Sequence, residues 1–441
     1  MEKNEVNSRL GKHRVLELFS GIGGWTYALR NLNEAVEEIF PYDISPVANE
    51  VYEFNTGICP CKVSIEKITA KKIDQLRCNL WLLSPPCQPF TRNNQSTTRD
   101  LTDPRAKPLL HLISLLPKVR HKPRLIAMEN VVGFEDSQCC RKWLEALNEC
   151  SYHALQFILT PLQFGIPNER PRYYCLASLD PLPSYETILK SIPGFNHDID
   201  VPKIGRYLGL PTFEENNGNL KSGENQRGDA SPGRENEMFE SFIVPDSVLD
   251  KPSGWCLDIV SRNSKRSACF TKSYGRYIKG TGSVMFMGSE ENPDSLSQAG
   301  SKEYPDLTVR ASSLKHTEAK KECIEELDEG EENKRKRKQS EMDQVEHDDF
   351  LQDPSERSFN EGWQLQFYGK LRFFTPLEIK RLMNFPEDFN FPSNIAIRSK
   401  YSLLGNSLNI CVVQELLRFY FCCVAEPNRF IDEKDNKGEY V

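Results

Sequence analysis

No stretch of this 441-residue chain comes near the roughly 20 consecutive apolar residues that a membrane-crossing helix needs. No membrane-spanning helix and no membrane partner is therefore expected. Met1–Leu10 is charged and polar and lacks the apolar centre of a secretory signal. The 14 cysteines contain no C-x-x-C pair with a matching partner. Cys59-Pro60-Cys61, Cys139-Cys140 and Cys422-Cys423 stand too close together for zinc, so no metal is expected. Thiols without a signal point to a reducing compartment, read as the cytoplasm with the nucleus as a second location. Internal repeats are absent.

An excess of positive charge is missing too. The formal charge is −7, an unpromising value for a protein that handles nucleic acid. Its location changes the reading. Residues 318–353 hold 14 of the 63 acidic residues against 7 basic ones, which accounts for the whole imbalance. With 214–240 also set aside the remainder is net +4, which a modest phosphate-binding face tolerates but does not require. Residues 212–240 and 288–360 are polar, with few aromatics, and read as disordered inserts. Lys334-Arg335-Lys336-Arg337-Lys338, flanked by acids, reads as a solvated charge run.

What is present is a rhythm of strands and helices. Strands are expected at 14–19, 79–83, 124–128, 153–159 and 172–178, with helices at 25–31, 106–118 and 138–149. This alternation implies an α/β fold whose parallel sheet is covered on both faces. Phe19, Asp43, Cys87 and Glu129 all fall just past predicted strand ends, and that edge of an open α/β sheet collects ligands. Ser20-Gly21-Ile22-Gly23-Gly24 lets a ligand approach the backbone at a helix start. Asp43 follows at the distance of a ribose-binding acid, although the pattern is not G-x-G-x-x-G. Pro85-Pro86-Cys87-Gln88-Pro89-Phe90-Thr91 is a stiff loop that holds a thiol open at a strand end. Farther on, Thr375 reads as an N-cap with Pro376 at the first helical position and Glu378 completing a capping box. Gly405-Asn406-Ser407 reads as a polar turn before a helix at 410–424.

Phe19-Ser20-Gly21-x-Gly23-Gly24, Pro85-Pro86-Cys87, Glu129-Asn130-Val131, Arg170-x-Arg172 and Gly405-Asn406-Ser407, in that order, resemble the cytosine-5 methyltransferase superfamily. Cys269-Phe270-Thr271-Lys272-Ser273-Tyr274-Gly275 and Gly280-Thr281-Gly282-Ser283 resemble its tRNA aspartic acid methyltransferase branch. The resemblance implies a Rossmann-like doubly wound methyltransferase sheet, 13–180 plus 396–425, with a smaller target-recognition domain at 181–395. It implies S-adenosyl-L-methionine as cofactor, on Phe19, Ile22, Gly23, Gly24, Asp43, Ile65, Glu66, Ser84 and Ser407. It places Cys269, Phe270, Thr271 and Lys272 against the substrate, cytosine 38 in the anticodon loop of tRNA-Asp. Asn168 stands where the DNA enzymes usually carry Gln, and the 288–360 insert is longer than the family's.

The residues suit that chemistry. A Cys87 thiolate attacking cytosine C6 turns C5 into a nucleophile, splitting one hard step into two. Glu129, raised by burial and oriented by Asn130, protonates or hydrogen-bonds N3. Arg170 and Arg172 are forked donors able to hold phosphate or the base carbonyl and to favour the nearby thiolate. No second base is evident for the C5 proton, which leaves water. Two other readings share these residues: a DNA cytosine-5 methyltransferase, disfavoured by the Cys269-Phe270-Thr271 segment, and a non-catalytic nucleic-acid-binding protein, disfavoured by the intact Cys87, Glu129, Arg170 and Arg172. Weak DNA binding is compatible with the tRNA reading.

Overall fold

The structure is a computed structural model, and it describes residues 12–32, 35–90, 100–196, 198–209, 239–251, 254, 256–288 and 367–425. Thr91, Trp255, Lys334–Lys338 and nearly all of the two inserts lie outside the described residues. The chain divides into two compact units, Met1–Met287 with Gly369–Val441, and Gly288–Tyr368. The first unit contains two sheets.

β1 (His13–Leu18) carries apolar residues on both sides: Val15 enters one buried cluster, Leu16 and Leu18 the other. β3 (Leu80–Leu83) divides likewise, Leu80 and Leu82 against Trp81 and Leu83. A strand covered on both faces reads as a continuous apolar run, which is why these segments show no alternation. Together with β2 (Val36–Tyr42), β4 (Leu125–Val131), β5 (His153–Leu159) and β6 (Arg172–Ser178) they form one sheet of order β2-β1-β3-β4-β6-β5. On the Val15 face lie α1 (Gly24–Leu32), through Trp25, Ala28 and Leu29, and the last helix, Ile410–Ala425. α2 (Pro46–Thr56) and α3 (Ala70–Leu76) connect the first strands. On the other face lie α4 (Lys107–Leu115) and α5 (Gln138–Glu149), through Leu109, Leu112, Trp143 and Leu147. Each large side chain fully withdrawn from water in these layers contributes about 1.5–3 kcal/mol.

The all-parallel expectation holds for β2, β1, β3 and β4 and fails for β6, which runs antiparallel to both β4 and β5. The link from β5 to β6 contains only a short 3-10 turn, Pro161–Phe164, and a parallel neighbour needs a longer crossover. Pairing with β6 also lengthens β4 to Val131, so Glu129 and Asn130 lie within the strand, opposite Tyr174 and Tyr173, and beyond the reach of β3. The helix expected at 106–118 ends at Leu115 and tightens into a 3-10 turn at Leu116–Lys118, where Pro117 withholds a donor.

A second sheet joins β7 (Asp258–Val260), β8 (Ser283–Phe286) and β9 (Leu371–Phe373) in that order. Val260, Met285 and Phe374 belong to the same apolar cluster as Trp25 and Leu404. α6 (Pro376–Leu382) opens on the expected capping box: Glu378 N donates to Thr375 Oγ1 at 3.2 Å and Thr375 N to Glu378 Oε2 at 2.8 Å. The polar turn expected at Gly405-Asn406-Ser407 is instead the end of α7 (Ile397–Asn406), with Ser407 as its extended C-cap, before α8 (Ile410–Ala425).

Candidate active site

Three strand ends build the side on which a cofactor is expected. Phe19 leaves β1 in the left-handed region (φ +59°), with Gly21 at +53° and Gly23 at +89°. Gly21 N donates to Asp43 Oδ2 at 2.9 Å, and Ser45 N donates to Oδ1 at 2.8 Å. The carboxylate of Asp43 thus clamps the glycine turn to the end of β2 and keeps its remaining lone pairs for a ligand. At Gly21 a Cβ would meet nothing within 4 Å. Beside it Ile44 is 68% exposed, an apolar surface next to an acid. Sequence reasoning missed Ile44; an apolar residue directly after a strand-terminal acid was the available signal. An open turn, an acid and an apolar shelf fit a nucleoside cofactor. Ser84, at the end of β3, receives Trp25 Nε1 on its Oγ at 2.9 Å. Ile65 is buried in the core and Glu66 beside it is exposed.

Gly24 marks the meeting of the chain's two ends. A Cβ there would lie 2.5 Å from Leu408 Cδ1 and 3.5 Å from Ser407 Oγ. Gly405 is needed for a similar reason: its Cβ would fall 2.2 Å from the Thr271 carbonyl carbon and 2.3 Å from Lys272 N. No side chain fits where α7 presses on that backbone.

Cys87 follows β3 on the proline loop and is partly buried; its carbonyl accepts from Phe90 N at 3.0 Å, closing a turn anchored by buried Phe90. Burial pushes its thiol up, more strongly than Arg172 and, more weakly, Arg170 and Lys272 pull it down, while Glu129 adds to the rise. The arginines favour the thiolate as expected, but burial outweighs them and the resting group is a thiol. Glu129, 9% exposed, is raised by burial against the pull of Arg172 and Arg170, and Arg172 Nε stands 3.4 Å from its Oε1. Asn130 does not orient it. Successive strand residues point to opposite faces, and Asn130 Oδ1 receives Val131 N at 2.9 Å.

The two arginines have different tasks. Arg170 is 2% exposed and both of its terminal nitrogens are spent within the protein: Nη1 donates to Phe270 O at 2.9 Å, and Nη2 to Gly405 O at 2.9 Å and to Ser407 O. It ties the 269–270 segment to the end of α7, so the expected phosphate or carbonyl grip is replaced by a clamp on backbone. Arg172 faces Glu129. Both flank Cys269, whose Sγ lies 3.2 Å from Arg170 Nη1 and 3.7 Å from Arg172 Nη2. Burial pushes the Cys269 thiol up, but the two guanidinium groups outweigh it and the net direction is down.

Of the four residues expected against the substrate, Cys269 sits between the arginines and Lys272 is exposed. Thr271 is partly buried, its amide donating to Thr281 O at 2.9 Å. Phe270 turns away: it is buried edge-to-face against Tyr274 and Phe374, because the core beneath the second sheet needs its ring. Asn168 donates from Nδ2 to Ser267 Oγ at 3.1 Å and Ala268 O at 3.0 Å, fixing the approach to Cys269. Gln at that place would reach one methylene farther.

A Rossmann-like sheet, a glycine turn with an acid just past the next strand, and a cysteine loop beside a buried carboxylic acid fit a methyltransferase. The family model for C-5 cytosine-specific DNA methylases matches residues 13–421, and the chain belongs to that family. It is 32% identical to a bovine tRNA (cytosine(38)-C(5))-methyltransferase, over 92% of this chain and 98% of the relative. A Dictyostelium discoideum DNA (cytosine-5)-methyltransferase is 28% identical over 92% and 93%. The crystal structure of the Schizosaccharomyces pombe Dnmt2 methyltransferase superposes with a TM-score of 0.63 at 29% identity, covering 95% of this chain and all of that one.

Proposed function

We propose that this protein methylates C5 of cytosine in tRNA, at cytosine 38 of the anticodon loop of tRNA-Asp, through a covalent bond between Cys87 and C6. The observation that carries the reading is the pairing of a part-buried Cys87 thiol with a buried, protonatable Glu129, joined by one guanidinium, Arg172. Residues 13–180 with 396–425 would form the catalytic domain and 181–395 the target-recognition domain. The protein would act in the cytoplasm, with the nucleus as a second location.

S-adenosyl-L-methionine supplies an electrophilic methyl group when bound, and Asp43, the glycine turn and Ile44 are the residues that would hold it. Cys87 first loses its proton to water, helped by Arg172, and its sulfur then forms a bond to C6. Glu129 gives its proton to N3, so the electron pair released by attack gathers at C5 instead of on a bare anion. After C5 takes up the methyl group, its proton leaves to water, the C6–S bond breaks, and N3 returns its proton to Glu129. Lys272, exposed beside this site, is suited to a phosphate of the loop.

The test is transfer of labelled methyl from S-adenosyl-L-methionine to total tRNA and, separately, to genomic DNA, followed by mapping of the methylcytosine. Label at a single tRNA cytosine, absent with Cys87→Ala, is the expected result. Label confined to DNA would favour the DNA enzyme reading, and none on either the non-catalytic one.

A further inference from the structure

β1 carries one residue that neither core packing nor the proposed chemistry uses. Glu17 is fully buried. Its Oε2 accepts from Thr26 Oγ1 at 2.7 Å and from Tyr52 OH at 2.8 Å, and those two hydroxyls lie 2.7 Å apart. Three oxygens at mutual hydrogen-bond distance make three edges, each requiring one proton. Thr26 and Tyr52 supply two. With Glu17 protonated the third edge is filled and the ring closes. With Glu17 ionised, one edge sets lone pair against lone pair. Its Oε1, which reaches no donor within bonding geometry, then becomes an unpaired charge in the core. The start of α1 works the other way, since the Thr26 amide faces the carboxyl and favours an anion. Among the described residues no cation joins it there. Asp43, past β2, adds repulsion, and the charge of Arg30 on α1 is felt at Tyr52. Burial is the largest influence and pushes the Glu17 carboxyl up to about 7.

The ring of hydrogen bonds ends beneath the glycine turn. A Cβ on Gly23 would lie 3.0 Å from Tyr52 Cε2 and 3.2 Å from Cδ2, so the Tyr52 ring is the floor of that turn. We propose that Glu17 is kept as a neutral acid and acts as a positioning residue, its proton closing the Glu17–Thr26–Tyr52 ring that fixes Tyr52 beneath Gly23 and so shapes the cofactor turn. At alkaline pH the proton leaves, one edge opens, and the turn loosens. The last link rests on the cofactor reading given above; the proton count does not. For stability the sign is fixed: between about 4.5 and about 7 the folded protein holds a proton that the unfolded chain has lost. The contribution is complete below that window and disappears as pH rises through it.

Glu17→Gln is neutral at every pH and can fill all three edges, donating two N–H bonds while one hydroxyl supplies the third. Wild type should show an infrared C=O stretch of a buried carboxylic acid that vanishes in Glu17→Gln. It should also melt at falling temperature as pH rises through the window, with a steeper slope than Glu17→Gln. Calorimetric affinity for S-adenosyl-L-methionine should fall about fivefold from about pH 6 to about pH 8.5 relative to Glu17→Gln, which stays at the wild-type low-pH value. Tyr52→Phe, which keeps the aromatic ring but removes two of the three edges and leaves only the Thr26–Glu17 bond, should bind weakly with a flattened pH response. Parallel wild-type and Glu17→Gln profiles, or a Tyr52→Phe protein with unchanged affinity and pH slope, would overturn the proposal. If no variant and no wild-type protein binds the cofactor, the cofactor reading fails, while the infrared band and melting slopes still decide whether Glu17 is protonated.

Discussion

The Cys87 loop and the Cys269 segment reach the same guanidinium groups from distant parts of the chain, and the two thiols respond in opposite directions. Cys87 feels Arg172 and Arg170 through space, shares its surroundings with Glu129, and is raised by burial. Cys269 touches both arginines, at 3.2 and 3.7 Å, and is lowered although it too is buried. Coulomb attraction grows as the charges approach, whereas the cost of desolvation depends on surroundings, so proximity decides which one dominates. The more acidic thiol is therefore the one beside the site, and the proposed nucleophile is the one held in reserve. A thiol that stays protonated at rest is protected from oxidation and alkylation.

The largest test of that contrast is removal of each sulfur. Cys87→Ala should lose at least about 10³-fold in turnover, the scale for losing a nucleophile, with cofactor affinity retained. Cys269→Ala should lose less, about ten- to a hundredfold, through a displaced Arg172. Equal losses in single-turnover assays would mean that the division of labour is wrong. Next comes Arg172→Gln, which removes the leading influence holding the Cys87 thiol down. The ascending limb of the kcat/KM profile, along which Cys87 ionises, should move to higher pH, lowering kcat/KM near neutrality. A limb that stays in place would assign it to another group.

Arg170→Lys probes structure instead of chemistry. One ammonium cannot serve three carbonyls in two directions, and the loss of charge-assisted bonds at a buried site should cost about 2–4 kcal/mol in denaturant unfolding. Activity of the fraction that remains folded should fall less than in Arg172→Gln, because Arg170 holds backbone while Arg172 faces Glu129. The reverse order would return Arg170 to the substrate.

Much of the fold and site was legible in the residues. The apolar runs at 80–83 and 125–128, the glycine turn and the Pro-Pro-Cys loop each declare themselves locally, because their strand, turn or loop geometry is set by adjacent side chains. The capping box at Thr375 and Glu378 is local in the same sense. What could not be read depended on partners far along the chain. The direction of β6 follows from pairing with β4, the helical state of Gly405 from the backbone of Thr271, and the inward turn of Phe270 from Tyr274 and Phe374. The different fates of Arg170 and Arg172 belong here too, since sequence spacing makes them equivalent and only the fold tells them apart.

The smallest expected effect concerns the contrast between this core and the acidic insert. Residues 290–350 lie outside the described residues, which end at 288 and resume at 367. β8 and β9 pair antiparallel through Phe286 and Leu371, and Met287 N donates to Lys370 O at 2.8 Å. Met287 and Lys370, which bracket the stretch containing this segment, are therefore hydrogen-bonded neighbours. Its composition offers little apolar surface, and lengthening a flexible loop costs only about 0.6 kcal/mol per doubling. Replacing 290–350 by a short Gly/Ser linker should therefore leave the melting temperature and the rate of tRNA methylation near wild type. The rival idea gives Lys334–Lys338 a grip on the tRNA backbone. Under that idea the deletion weakens binding and flattens its salt dependence, by about 0.9 in slope for each duplex phosphate the protein no longer neutralises. Parallel slopes of the two proteins across a salt series are the expected outcome, because the acids that flank the basic run repel the same phosphates that the lysines would attract.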